Sequence, residues 1–272
     1  MPQKIGFPAG VFGENPLRLD VLAANAPHFV ALDKPAGILL DSYLGSPKGK
    51  SVMLAMRDTP EKPEFKRLGI VSPYAVNQVD FEISGAAVVA CDKDTSVKMR
   101  NAMWSEAMEF QYLLLAKPVK PLEDVFDADL PILMHEERPV WLVSHRFGKK
   151  ARTRFEIVET VGAFQLWRAT TRTVRPHQIR VHANENGLKV IGEQLYSRTP
   201  HVYMSDIKEE RYKIGFGEEE RPLYPHISIH LSKIAFDGAE TGCGGVGNVE
   251  INSPLPKGFA TQLKRLGFKA RA

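Results

Sequence analysis

Cysteine is scarce in this chain. Only Cys91 and Cys243 occur, far apart and in no metal-like spacing, which argues against a disulfide scaffold or a zinc site. Long apolar runs are missing as well. No stretch approaches the roughly 18 residues needed to cross a bilayer, and the opening Met1-Pro-Gln-Lys-Ile-Gly6 lacks the apolar segment of a secretory signal. No P-loop, Gly-x-Gly-x-x-Gly or Gly-x-Ser-x-Gly pattern is found, so nucleotide hydrolysis and dinucleotide redox chemistry have no support. These absences predict a cytoplasmic protein with reduced thiols and no bound metal.

What is present is an ordinary globular composition, 43% apolar and 25% charged over 272 residues, enough for one large domain or two small ones. The net charge of +4 is modest, but it is unevenly spread. Between Arg146 and Lys189 stand ten basic residues and three acidic ones, so that segment alone is more positive than the whole chain. A concentrated basic segment points to an anionic macromolecule, because phosphate contacts dominate nucleic-acid affinity.

The patterning predicts strands at His28–Asp33, Ile83–Ala90, Phe110–Ala116, Arg152–Val158, Phe164–Thr170 and Ile227–Phe236. It predicts a helix opened by Asp94-Thr95, with Val97, Trp104 and Met108 on one face and Met99 and Met103 close by. That stripe reads as core packing. A second helix runs from about His177 to Asn186, stopped by Gly187. Residues 1–27 read as an irregular lead-in, 41–68 as a loop with a short helix at Val52–Met56, 119–137 as a surface connection and 205–222 as an exposed loop. Strands and helices mix without a βαβ rhythm. The expected class is α+β, a mixed and mainly antiparallel sheet with flanking helices and loops.

Two places carry chemistry. Arg175-Pro-His-Gln-Ile-Arg-Val-His182 puts two arginines, two histidines and a glutamine into eight residues. A guanidinium there has a fork suited to carboxylate or phosphate, and Arg172 and Arg175 beside a helix start would attract phosphate. Asp80 precedes an apolar strand and stands near small residues. It is a turn residue, a structural acceptor or a nucleophile. A nucleophilic carboxylate needs a cation beside it, and Arg180 could supply one, unless it pairs with Glu185 or another surface acid. Tyr112 could stack on a base and reach a proton, or be a half-buried strand tyrosine. His226 and His230 alternate along a strand, but no third ligand is evident for a metal.

Together these blocks resemble the RluA-type pseudouridine synthases. The resemblance rests on Val30–Ile38 with its Lys34-Pro-Ala-Gly37 turn, on Val79-Asp80 through Ser84-Gly85, on Tyr112-Leu-Leu-Leu115 and on Lys149-Lys-Ala-Arg-Thr153. It continues through Arg175–His182 with Gly187 and Ile191-Gly192, then Ile229-His230 through Phe236, and Pro254-Leu-Pro-Lys-Gly-Phe259. It implies a pseudouridine synthase catalytic domain over 28–272, without an S4-type RNA-binding domain in the first 27 residues. It implies isomerisation of uridine in ribosomal or transfer RNA without a cofactor, and a monomer is the default expectation. Asp80 would start cleavage of the glycosidic bond, Arg180 would hold Asp80 by an ion pair, and Tyr112 would pack on the base. Lys149, Arg152, Arg175, His177 and Gln178 would contact substrate. The usual His-Arg-Leu-Asp of the family stands here as Asn77-Gln-Val-Asp80, its Thr-Ser-Gly as Ile83-Ser-Gly85 and its Gly-Asp as Gly192-Glu193. The loss of His and Arg keeps open a second reading, a catalytically silent RNA-binding paralogue.

Overall fold

The computed structural model describes residues 3–208, 219–243 and 247–269. In chain order the elements begin with β1 (Lys4–Phe7), β2 (Leu17–Asn25), β3 (Phe29–Lys34), α1 (Val52–Arg57), α2 (Pro63–Leu68), β4 (Tyr74–Ala75), β5 (Ser84–Ala90), α3 (Lys93–Trp104) and β6 (Met108–Pro118). They continue with β7 (Val125–Asp129), β8 (Ile132–Met134), β9 (Trp141–Val143), β10 (Arg152–Val161), β11 (Phe164–Thr171), α4 (Gln178–Glu185) and β12 (Leu188–Val190). The last are α5 (Ser205–Lys208), β13 (Ile229–Asp237), β14 (Asn248–Asn252) and α6 (Lys257–Leu266).

Twelve strands form one sheet with the path β1-β2-β3-β5-β13-β6-β11-β10-β7, while β4, β12 and β14 add to β5, β6 and β13. All its pairings are antiparallel except β5 with β13. The expected mixed, mainly antiparallel sheet is therefore present. Strand β5 is buried along its whole length, which its run of Ala and Val allows. At the parallel junction Gly85 has φ +133, and a Cβ there would sit 2.3 Å from the Leu231 carbonyl oxygen. The glycine makes room for the neighbouring strand.

Several segments differ from expectation. The lead-in carries β1 and β2, which join the sheet through β3. Ile5, Phe7 and Leu19 turn into the core, a period-2 signal hidden by the Pro, Gly and Asn of the turn between them. The 119–137 connection contains β7 and β8, and α2 lies in the 41–68 loop. Helix α3 is capped by Asp92, whose carboxylate accepts from the Thr95 N–H at 2.9 Å, rather than by Asp94-Thr95. Met99, Met103 and Met108 pack in the core, but Val97 and Trp104 face outward, with Trp104 56% exposed. The stripe is thus only partly core. Residues 209–218 of the expected 205–222 loop lie outside the described residues.

Two walls shape the site. One is the loop from β4 to β5. The other is the turn from β11 into α4. Asn77, buried in the first loop, clamps it to β5. Its side-chain amide donates to the Ala86 carbonyl at 3.2 Å, and its carbonyl oxygen accepts from the Val88 N–H at 2.8 Å. This pair of hydrogen bonds fixes the chain three residues before Asp80.

Candidate functional site

Asp80 lies at the end of the clamped loop and is 7% exposed. Its Oδ1 accepts the backbone N–H of His177 at 3.3 Å, at the start of α4. His177 has a left-handed backbone, φ 57, which turns that N–H toward the carboxylate. Burial pushes the Asp80 carboxyl above the usual carboxylate range, while Arg180, the His177 N–H and Lys34 pull it back down. The carboxylate is poised between water exclusion, which favours its neutral form, and nearby positive charge, which favours its ionised form.

Lys34 is the second buried cation. Its ammonium donates to the carbonyls of Pro35 at 3.0 Å, Ile38 at 2.9 Å and Phe81 at 3.5 Å. Burial pushes its pKa down to about 7, against the opposing pull of Asp80, Glu82 and Asp33. The Lys34-Pro-Ala-Gly37 segment was expected only as a turn. Its lysine also ties the β3 end to the residue following Asp80.

Arg180 does not meet Asp80 as expected. Its Nε and Nη2 bond both oxygens of Glu193, at 2.6 and 3.0 Å, and its Nη1 lies 3.1 Å from Glu82 Oε2. Glu193 takes the Nε–Nη2 edge of the guanidinium and Glu82 forms an ion pair at Nη1, while no ion pair joins Arg180 to Asp80. Burial alone would lower Arg180, but the bonds and charge of Glu193, with Glu82 and Asp80, raise it. Arg180 therefore stays positive and acts on Asp80 through space. Sequence reasoning missed Glu193, although the Gly192-Glu193 dipeptide was in view.

Tyr112 comes from β6, opposite Ala169 of β11 and Leu231 of β13. It lines the same pocket as Asp80, with Gln78, Arg175 and Gln178 also on the wall. Burial, reinforced by the Asp80 charge, raises the phenol, so it holds its proton at neutral pH. The pocket is small, about 20 Å³, room for a single water. A pyrimidine ring can enter only if lining side chains move.

The remaining expected contacts divide. Gln178 and His177 are buried and tied into the protein. The Gln178 amide nitrogen lies 3.0 to 3.2 Å from the hydroxyls of Thr153, Thr171 and Thr173 and the Arg152 carbonyl, four acceptors for its two protons, while its carbonyl oxygen is buried without a partner. His177 Nδ1 is 2.7 Å from the Tyr196 hydroxyl, and burial with the Arg180 charge pushes its pKa to about 4. It is neutral at pH 7 and offers no cation to a phosphate. Arg152 is exposed and paired with Asp129 at 2.6 Å. Lys149 and Arg175 line a separate apolar cleft of about 510 Å³. Arg175 belongs to both walls and links the cleft to the Asp80 pocket. His230 is occupied by Ser84 Oγ at 2.9 Å and the Ser253 carbonyl at 3.0 Å, and His226 precedes β13 rather than lying on it. Among the described residues no group of three or more His, Cys, Asp or Glu could hold a metal ion. Nor is any helix among them long and apolar enough to cross a membrane.

This fold is that of RNA pseudouridylate synthase domains. The solved structure of Human RNA Pseudouridylate Synthase Domain Containing 4 covers 93% of this chain and 94% of its own, with a TM-score of 0.66 at 16% identity. Human RNA Pseudouridylate Synthase Domain Containing 1 covers 92% and 86%, with a TM-score of 0.58 at 17% identity. A family model described as RNA pseudouridylate synthase matches residues 28–185. The chain belongs to that family.

Among its relatives, Ribosomal large subunit pseudouridine synthase D of Nitrosomonas europaea is 28% identical over 172 residues, 63% of this chain and 48% of the relative. The protein of the same name from Neisseria meningitidis is 23% identical over 259 residues, 95% of this chain and 64% of the relative. The chain thus spans about half to two thirds of the length of these relatives.

Proposed function

We propose that this chain isomerises uridine to pseudouridine in RNA, with Asp80 as the acting carboxylate. The observation that carries the reading is the Asp80 environment: a buried acid with one backbone donor and two buried cations near it, on the wall of a pocket shared with Tyr112. Asp80 attacks as nucleophile or takes a proton as general base. The bond from N1 to C1′ of ribose breaks, the base turns, and a bond from C5 to C1′ forms. The proton on C5 leaves and N1 gains one, so the product is an isomer and no co-reactant is consumed. Tyr112 packs against the base, and because its hydroxyl keeps its proton, the C5 proton passes to the Asp80 carboxylate once C5 has joined C1′, or to water, while N1 takes one up. Arg180 and Lys34 favour the ionised state of Asp80 without contacting the substrate.

The target uridine has to leave its stack, at a cost of a few kcal/mol. Backbone contacts from Lys149, Arg152 and Arg175 offset that cost. Gln178 lines the pocket, and His177 holds Asp80 through its backbone N–H. Relatives named for the large ribosomal subunit make ribosomal RNA the first substrate to try, and transfer RNA the second. The protein works in the cytoplasm as a monomer and needs no cofactor.

The test is tritium release from [5-³H]uridine-labelled RNA extracted from a strain lacking the protein, followed by mapping of the modified positions. Release by the wild type and none by Asp80→Asn supports the reading. No release, together with salt-dependent RNA binding that Asp80→Asn leaves unchanged, makes the chain a silent RNA-binding relative.

A further inference from the structure

We propose that the cleft flanked by Trp104 and Trp141 binds the unpaired nucleobase next to the target uridine. The proposal rests on the RNA-modifying reading above and adds a second binding site to it. Trp104 stands at the end of α3 with 56% of its surface exposed, and Leu44 across the cleft is 72% exposed. Met134 and Trp141, from the β8–β9 hairpin, make the far wall. Large apolar side chains gathered at one surface mark a binding site.

The occupant is indicated by charge and shape together. Lys149 and Arg175 are the cations of the lining, and no acid is among it. The Arg175 guanidinium carbon sits 4.7 Å from the centre of the Trp104 ring, in the manner of a cation over an aromatic face. Its Nε is buried without a hydrogen-bond partner. An indole and a guanidinium plane with a free donor suit a flat base and its attached phosphate. Base stacking on aromatic side chains tolerates any sequence, and the neighbouring cations track the backbone.

Placement next to the target follows from Arg175, which lines both this cleft and the Asp80 pocket. One nucleotide in each would share it. The sizes differ sharply, about 510 Å³ against about 20 Å³. The cleft is already open, while the Asp80 pocket must widen. The flanking base therefore lands first and holds the strand while the uridine enters.

The test uses short, labelled single-stranded RNAs with a central uridine between adenines, and versions in which one adenine is replaced by an abasic ribose. Affinity is read by fluorescence anisotropy. For the wild type, removing the base on one side weakens binding roughly five- to a hundredfold, the worth of one stacked base. Trp104→Ala weakens the parent RNA by a similar factor and no longer distinguishes it from the abasic one. Trp104→Phe lies between. Because Trp104 is exposed, the unfolding midpoint should stay at the wild-type value, which separates lost stacking from lost folding. An abasic penalty that persists in Trp104→Ala overturns the proposal. So does a wild type that binds none of these RNAs, including one that binds acidic peptides instead. Tritium release is measured separately. Turnover without base-dependent binding at Trp104 removes the cleft and keeps the synthase. Base-dependent binding without turnover does the reverse.

Discussion

Arg180 is joined to Glu193 by two hydrogen bonds, Nε to Oε2 at 2.6 Å and Nη2 to Oε1 at 3.0 Å, with both side chains 1% exposed. Glu193 Oε1 also accepts the backbone N–H of Leu195 at 2.7 Å and of Tyr196 at 3.2 Å. One carboxylate thus fastens helix α4 to the segment after β12. Removing one partner of such a pair leaves a buried charge uncompensated, at about 3–5 kcal/mol. Glu193→Ala is expected to lose about that much in urea unfolding, with Glu82 retaining part of the guanidinium's charge balance. Glu193→Gln, which keeps an acceptor oxygen, should lose less. A Glu193→Ala midpoint equal to wild type would mean that the pair does not hold the helix.

Asp80→Asn should abolish tritium release and cost no stability at neutral pH. The folded carboxyl is raised above its ordinary value, chiefly by burial. Between the unfolded and folded values the native state binds more protons than the unfolded chain. The stability this group contributes is therefore fully present below the unfolded value and lost as pH rises through the folded one. Asparagine has no charge to desolvate, and its carbonyl oxygen can still accept the His177 N–H. The variant should melt at or above the wild-type temperature at pH 7. A clear fall in melting temperature would show that the ionised carboxylate is a structural anchor.

Lys34→Met tests the through-space support of Asp80. Lys34 is one of the charges that lower the Asp80 carboxyl. Without it Asp80 should bind its proton more tightly, and the acid limb of kcat/KM should move to higher pH. The same variant should change the stability profile. Lys34 is lowered from 10.5 to about 7, so across that window the unfolded chain holds the extra proton and stability rises with pH. That contribution is lost as pH falls through about 7. Lys34→Met should flatten the rise. An unmoved acid limb would separate Lys34 from the chemistry.

The strands and the α4 helix were legible because their signals are local. Alternation marks β10 and β11, and Gly187, with φ 86, stops α4 where expected. The Asp80 and Tyr112 juxtaposition was legible as a resemblance, and the fold brings the two to one pocket. What was not legible depended on which neighbour arrives from elsewhere. Arg180 had a choice of carboxylates, and nothing local says that Glu193, thirteen residues on, fills its fork. Gln178 and His177 have ligand-binding side chains, but three threonines from β10, β11 and the following turn occupy the first, and Tyr196 occupies the second. Trp104 fitted the core stripe by periodicity. The rim it occupies exists only once the β8–β9 hairpin is in place.

Lys149 and Arg152 were expected to act alike on RNA, and the structure separates them. Arg152 is already paired with Asp129 at 2.6 Å, so a phosphate must compete with a carboxylate for it. Lys149 lines the apolar cleft and has no ion pair among the described residues. A phosphate contact to single-stranded nucleic acid releases counterion and contributes about 0.7 to the slope of log affinity against log salt. Lys149→Ala should reduce that slope by about 0.7, and Arg152→Ala by clearly less. Asp129→Asn, which frees Arg152, should steepen it. The slopes come from binding measured across roughly 50 to 200 mM salt. Equal slopes for both alanine variants would mean that Asp129 gives way to RNA at no cost, and that the free and the paired cation serve the same backbone.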